Sequence, residues 1–88
     1  MKEEVLAVKN QMGIHAKPAA LFVQTAARFK SAVTVSKDGV QINGKSIMGL
    51  MLLAAECGSK LKVTVDGPDE AAALAALKDI FARGFDEE

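Results

Sequence analysis

Ala32-Val33-Thr34-Val35-Ser36-Lys37-Asp38-Gly39-Val40-Gln41-Ile42-Asn43 alternates apolar and polar residues on both sides of Asp38-Gly39. Successive side chains of an extended chain point to opposite faces, so Val33 and Val35 share one face and Thr34 and Ser36 the other. Val40 and Ile42 resume the alternation, and Asp-Gly supplies the positive φ angles of a two-residue hairpin. The stretch reads as two paired strands with one apolar face.

Outward from this hairpin the pattern changes period. Upstream, Val5-Leu6-Ala7-Val8 is a short apolar run between polar flanks and reads as a strand. Asn10 to Ile14 is a loop containing Gly13, and Pro18 suits a first helical turn, where its missing N–H costs nothing. Leu21, Phe22, Thr25, Ala26 and Phe29 then recur at helical spacing, which predicts a helix from about Ala16 to Phe29. Downstream, Asn43-Gly44 closes the hairpin and Ser46 can cap a short helix from Ile47 to about Leu53. Gly49 stands where a capping box needs Glu or Gln, so the cap is a plain one. Leu61, Val63 and Val65 alternate with Lys62 and Thr64 as a half-buried strand. Gly67-Pro68-Asp69-Glu70 opens a last helix with Leu74, Leu77, Ile80 and Phe81 as its buried stripe, and Gly84 marks its end. Asp69 and Glu70 read as helix-start charges.

The order β-α-β-β-α-β-α predicts an α+β fold: an open-faced two-layer sandwich. A four-stranded antiparallel sheet is covered on one face by three helices, with its other face wet. The 88 residues suffice for one domain, spanning 1–88. Half the residues are hydrophobic and a quarter charged, a globular mixture. Eleven basic residues balance eleven acidic ones, so no overall basic field holds nucleic acid. The single cysteine, Cys57, excludes an intramolecular disulfide and any CxxC metal or redox site, and reads as a buried small hydrophobe. Met1-Lys2-Glu3-Glu4 does not resemble a signal peptide, and the longest apolar run, Ile47 to Ala55, is nine residues, too short to span a membrane. The expectation is a soluble, cytoplasmic protein. Its charge is uneven, however. From Val5 to Lys37 stand five basic residues and no acid, a pattern suited to an anionic ligand or an acidic partner.

Chemistry concentrates in Gly13-Ile14-His15-Ala16-Lys17-Pro18-Ala19-Ala20. His15 is the only histidine and falls where the loop enters the first helix. A lone histidine is ordinarily an exposed loop residue or an indifferent cap. Here it adjoins the free backbone N–H groups of Ala16 and Lys17. With the helix dipole and the Lys17 ammonium, these surround one nucleophilic nitrogen with positive potential. The arrangement suits a histidine that carries a phosphoryl group.

That segment resembles the active-site signature of the HPr family, the histidine-containing phosphocarriers of the bacterial phosphoenolpyruvate-dependent sugar phosphotransferase system. Gly44-Lys45-Ser46-Ile47-Met48-Gly49-Leu50-Met51 resembles the same family's regulatory serine segment, and element order and motif spacing agree along essentially the whole chain. The resemblance implies a phosphoryl carrier rather than an enzyme, without metal or other cofactor. His15 would accept the group on Nδ1 from the phosphorylated first enzyme of the system and pass it to a histidine of sugar-specific components. Ala16 and Lys17 would stabilise the phosphoryl oxygens. Lys17 stands where the family pattern usually has Arg. Lysine keeps the charge but not the planar fork, which bears on rate and partner preference.

Ser46 would be the target of a dedicated kinase and phosphorylase, beside its structural role as a cap. The docking surface would lie on the first helix around Ala20, Gln24 and Ala27 and on the short helix at Ile47, Met48 and Met51. Leu50 and Leu53 already supply that helix with an inward face, and methionine-rich surfaces adapt to several partners. A shuttle of this kind works best as a monomer. The alternatives are a purely regulatory relative acting through phospho-Ser46 on a transcriptional regulator, and a nitrogen-branch phosphocarrier. An RNA-binding domain using Gly44 to Gly49 as a backbone clamp ranks last, because the strands carry no aromatic residue for base stacking.

Overall fold

The computed structural model describes residues 1–87. Among them are four strands, β1 (Lys2–Ala7), β2 (Ala32–Lys37), β3 (Val40–Asn43) and β4 (Lys60–Asp66). Three α-helices accompany them, α1 (Ala16–Ala26), α2 (Ile47–Leu52) and α3 (Glu70–Ala82), followed by a 3₁₀ turn at Gly84–Asp86. The strands form one antiparallel sheet in the order β1-β4-β2-β3. Helix α3 packs on β1, β4 and α1, and α1 also packs on α2, so the helices form a layer over the sheet. This is the open-faced α+β sandwich that the element order predicts.

Alternation along the strands builds the core. Val33 and Val35 of β2, Leu61, Val63 and Val65 of β4 and Leu6 of β1 are buried, facing Phe22 of α1 and Leu77 and Ile80 of α3. The hairpin turns at Asp38 (φ 51°) and Gly39 (φ 83°), the two positive angles that its sequence requires. Val35 stands opposite Ile42 across it.

Boundaries differ from the pattern where pairing or a side chain overrides local composition. Strand β1 begins at Lys2, three residues before the apolar run, because Lys2, Glu3 and Glu4 pair with Val65, Thr64 and Val63 of β4. Within the run itself Val5 points outward. Helix α1 ends at Ala26 rather than Phe29: the N–H groups of Arg28 and Phe29 donate to the carbonyls of Thr25 and Ala26, tightening the last turn. The Lys45 ammonium donates to the Phe29 carbonyl at 2.9 Å and fastens that end.

Two side chains depart from their expected surroundings. Cys57 is exposed, not buried; its loop, between α2 and β4, leaves the thiol against the Lys9 carbonyl at 3.7 Å. Asp69 does not cap its own helix. Its carboxylate accepts from the backbone N–H groups of Lys30 and Ser31 and from the Ser31 hydroxyl, tying the start of α3 to the end of the α1–β2 connection. The Ser31 hydroxyl and then the Lys30 amide hold its pKa down to about 2 from the ordinary 3.8.

Candidate functional site

The site forms where the β1–α1 loop, the start of α1 and the end of the chain meet. The loop lies against the segment after α2: the Ile14 N–H donates to the Ala55 carbonyl at 2.8 Å. At Gly13 (φ 69°) a Cβ would collide with that same carbonyl, so the loop can pass here only as glycine. Asn10 is 2 % exposed, and its Nδ2 donates to the Gly13 carbonyl at 2.7 Å, holding the bend from inside. The chain then enters α1 with His15 as the extended N-cap residue, and the Ala19 N–H donates to the His15 carbonyl at 2.9 Å.

The imidazole makes no cap hydrogen bond. Its Nε2 instead faces the carboxylate of Glu87, at 3.0 Å from Oε2 and 3.1 Å from Oε1. Asn10 Nδ2 donates to the same Oε1 at 3.0 Å. Positive groups therefore do not surround His15 alone, as the local sequence suggests; a carboxylate stands on the Nε2 side of the ring.

Glu87 arrives there because the chain reverses after α3. Gly84, Phe85 and Asp86 all adopt positive φ (63°, 57° and 58°), folding the segment back over α1. Phe85 anchors it: the ring is 2 % exposed and packs edge-on at 4.9 Å from Phe81, which in turn meets Phe22 at 6.1 Å. Sequence reasoning ends the helix correctly at Gly84 but misses Glu87. The available signal was the large apolar residue directly after the stop glycine, which needs somewhere to be buried.

The remaining candidates fall into two groups. Lys17 is exposed and takes part in no ion pair among the described residues. It lines a shallow groove of about 300 Å³ with Ala20, Leu21, Gln24, Phe85 and Asp86. The N–H groups of Ala16 and Lys17 belong to the first helical turn, which has no intrahelical acceptors. Ala27 is exposed one turn beyond Gln24.

The second group sits on α2, packed beside α1. Ile47, Met48 and Met51 are exposed by 41 %, 76 % and 45 %, while Leu50 and Leu53 point inward as their spacing implies. Leu52 and Met12, exposed by about three-quarters each, add apolar surface that periodicity did not single out. Ser46 Oγ accepts from the Gly49 N–H at 3.0 Å, the plain cap expected, and does not touch His15. Gly44 and Gly49 are not an open clamp: a Cβ on Gly44 would lie 2.5 Å from a Val33 methyl, and Gly49 is buried within α2. A larger hollow of about 560 Å³ lies against β2 and β3, around Thr34, Gln41 and Asn43, and is lined by neither His15, Lys17 nor Ser46.

Fold and site together define a class: open-faced α+β domains presenting a half-exposed histidine at a helix entrance, beside a free lysine and unpaired backbone N–H groups. Comparison with known proteins gives the family. The family profile described as the PTS HPr component phosphorylation site matches residues 2–83. The phosphocarrier protein HPr of Treponema pallidum is 49% identical over the whole of both chains. The HPr-like protein Crh of Bacillus subtilis is 47% identical over 88% of this chain and 91% of its own length. A crystal structure of HPr-C-His from Thermoanaerobacter tengcongensis superposes with a TM-score of 0.96 at 48% identity, covering 100% of this chain and 99% of that one. The chain belongs to the HPr family of phosphocarrier proteins of the phosphotransferase system.

Proposed function

We propose that residues 1–88 form a single HPr-like phosphocarrier domain in which His15 is the acceptor. The observation that carries the reading is the placement of the only imidazole at the entrance of α1, with its side chain partly open to solvent. His15 takes a phosphoryl group from the phosphorylated first enzyme of a phosphotransferase system and gives it to a histidine of a sugar-specific component. Atoms balance simply: an N–P bond forms on one imidazole as the N–P bond to the other breaks. The domain is a stoichiometric carrier that needs no metal or nucleotide of its own. The Ala16 and Lys17 N–H groups and the Lys17 ammonium receive the phosphoryl oxygens during transfer.

Partners dock on the adjoining faces of α1 and α2, at Ala20, Gln24, Ala27, Ile47, Met48 and Met51, with the cytoplasmic protein acting as a monomer. Ser46 offers a second control. A phosphate there adds about −1.5 to −2 charges beside this surface and repels acidic partners without unfolding the domain. The alternative is a purely regulatory protein acting through phospho-Ser46, a reading supported by the likeness to Crh of Bacillus subtilis, described as a catabolite repression HPr. Retention of His15 favours the carrier, since regulation through Ser46 does not need an imidazole.

The test is intact-protein mass after incubation with phosphoenolpyruvate and the matching first enzyme, beside His15→Ala. One acid-labile phosphoryl group on the wild type and none on the folded variant is the expected result. An unmodified wild type, with an enzyme active on its cognate carrier, moves the function to Ser46.

A further inference from the structure

We infer that Glu87, held by Asn10, is a positioning residue for His15: it keeps the proton on Nε2 and so leaves Nδ1 as the free nucleophile. The inference rests on the carrier reading and adds a residue outside the segment that the family profile matches.

An ionised carboxylate only accepts hydrogen bonds. With both Glu87 oxygens 3.0–3.1 Å from Nε2, the neutral ring meets them productively in one way, as the Nε2–H tautomer. The lone pair is then on Nδ1, the nitrogen pointing away from the carboxylate. Glu87 is itself fixed. Its side chain is only 15% exposed, its Oε1 accepts from Asn10 Nδ2, and Phe85 anchors the segment that delivers it. Asn10 is buried and spends Nδ2 on both Gly13 and Glu87, so the loop that presents His15 and the carboxylate that orients it share one support.

The arrangement has a consequence during transfer. The Nδ1 lone pair forms the N–P bond while the bond from phosphorus to the donor histidine breaks, and that electron pair returns to the donor ring. The Nε2 proton stays on His15, which makes the phosphorylated ring a cation. Glu87 neutralises that charge on one side while Lys17 and the helix N–H groups face the phosphoryl oxygens on the other. A ring kept protonated is also the better leaving group for onward transfer.

The test combines nitrogen NMR of His15 with phosphoryl uptake, at a pH where the ring is neutral. In the wild type Nε2 gives a protonated, pyrrole-type signal whose proton exchanges slowly with water, and Nδ1 a pyridine-type one. Glu87→Ala should move both signals toward each other, lose the slow proton, and slow initial uptake roughly tenfold, the scale of a lost outer hydrogen bond to a reacting imidazole. Glu87→Gln, which keeps an acceptor oxygen, should preserve the signals and recover part of the rate. Unchanged signals or an unchanged rate in Glu87→Ala overturns the inference. A wild type that takes up no phosphoryl group overturns the carrier reading instead, and the nitrogen signals still decide whether Glu87 holds the ring.

Discussion

Ala54 stands at φ 50° just after α2, a left-handed angle at which an L side chain crowds its own backbone. Such a conformation costs roughly 1–2 kcal/mol in a residue with a Cβ. Glycine there removes the strain but returns about 0.4–1 kcal/mol of chain entropy to the unfolded state. Ala54→Gly should therefore raise stability by about 0.5–1 kcal/mol in denaturant titration. Residue-scale reading of the sequence performs well where chemistry is local. The positive angles at Asp38 and Gly39, the Ser46 cap and the position of His15 at the helix entrance all follow from residue type and spacing. It fails for Cys57, because hydrophobic character places a side chain inside only if its backbone passes the core, and this one lies in a loop.

At the scale of elements, the segment Gly84–Glu87 behaves as an extension of α3 that closes over α1. Its two non-glycine positive φ angles are offset by the burial of Phe85 against Phe81. Phe85→Ala removes that anchor. The expected loss is on the order of 3 kcal/mol, the range for truncating a buried aromatic ring. Because Glu87 is delivered by the same segment, the variant should also lose the slowly exchanging Nε2 proton of His15. A full loss of stability with that proton retained would show that Glu87 reaches the ring without Phe85. Periodicity makes the helices and strands legible, since Leu74, Leu77, Ile80 and Phe81 recur at 3.6-residue spacing and Leu61, Val63 and Val65 at two. It cannot show the start of β1, whose charged residues are strand only because β4 offers hydrogen bonds to them.

Across the molecule, Asp69 couples the α1–β2 connection to the start of α3, a contact between residues 38 and 39 positions apart. Its carboxyl has a pKa of about 2 when folded against an ordinary 3.8, so the folded state favours the ionised form. The stabilisation is complete above the ordinary value and fades as pH falls through it toward about 2. Thermal melts of the wild type should thus lose ground over this acid window. Asp69→Asn should be less stable at neutral pH and flatter across the same window; an equally steep acid loss in the variant would assign it to other carboxylates.

The sequence by itself determined the α+β class, the order of elements, the inward faces of β2, β4 and α3, and the histidine, lysine and serine around which function is proposed. These depend on periodicity and near-neighbour chemistry, which extend over a few residues. Only the tertiary structure decided what stands opposite His15. Residues 15 and 87 are 72 positions apart, and their meeting depends on a chain reversal anchored by Phe85 and on an asparagine buried under the loop. The local pattern shows only that Phe85 after the stop glycine must be buried; it does not show what Glu87 then meets, because that depends on packing that exists only once α1 and α3 lie side by side on the sheet.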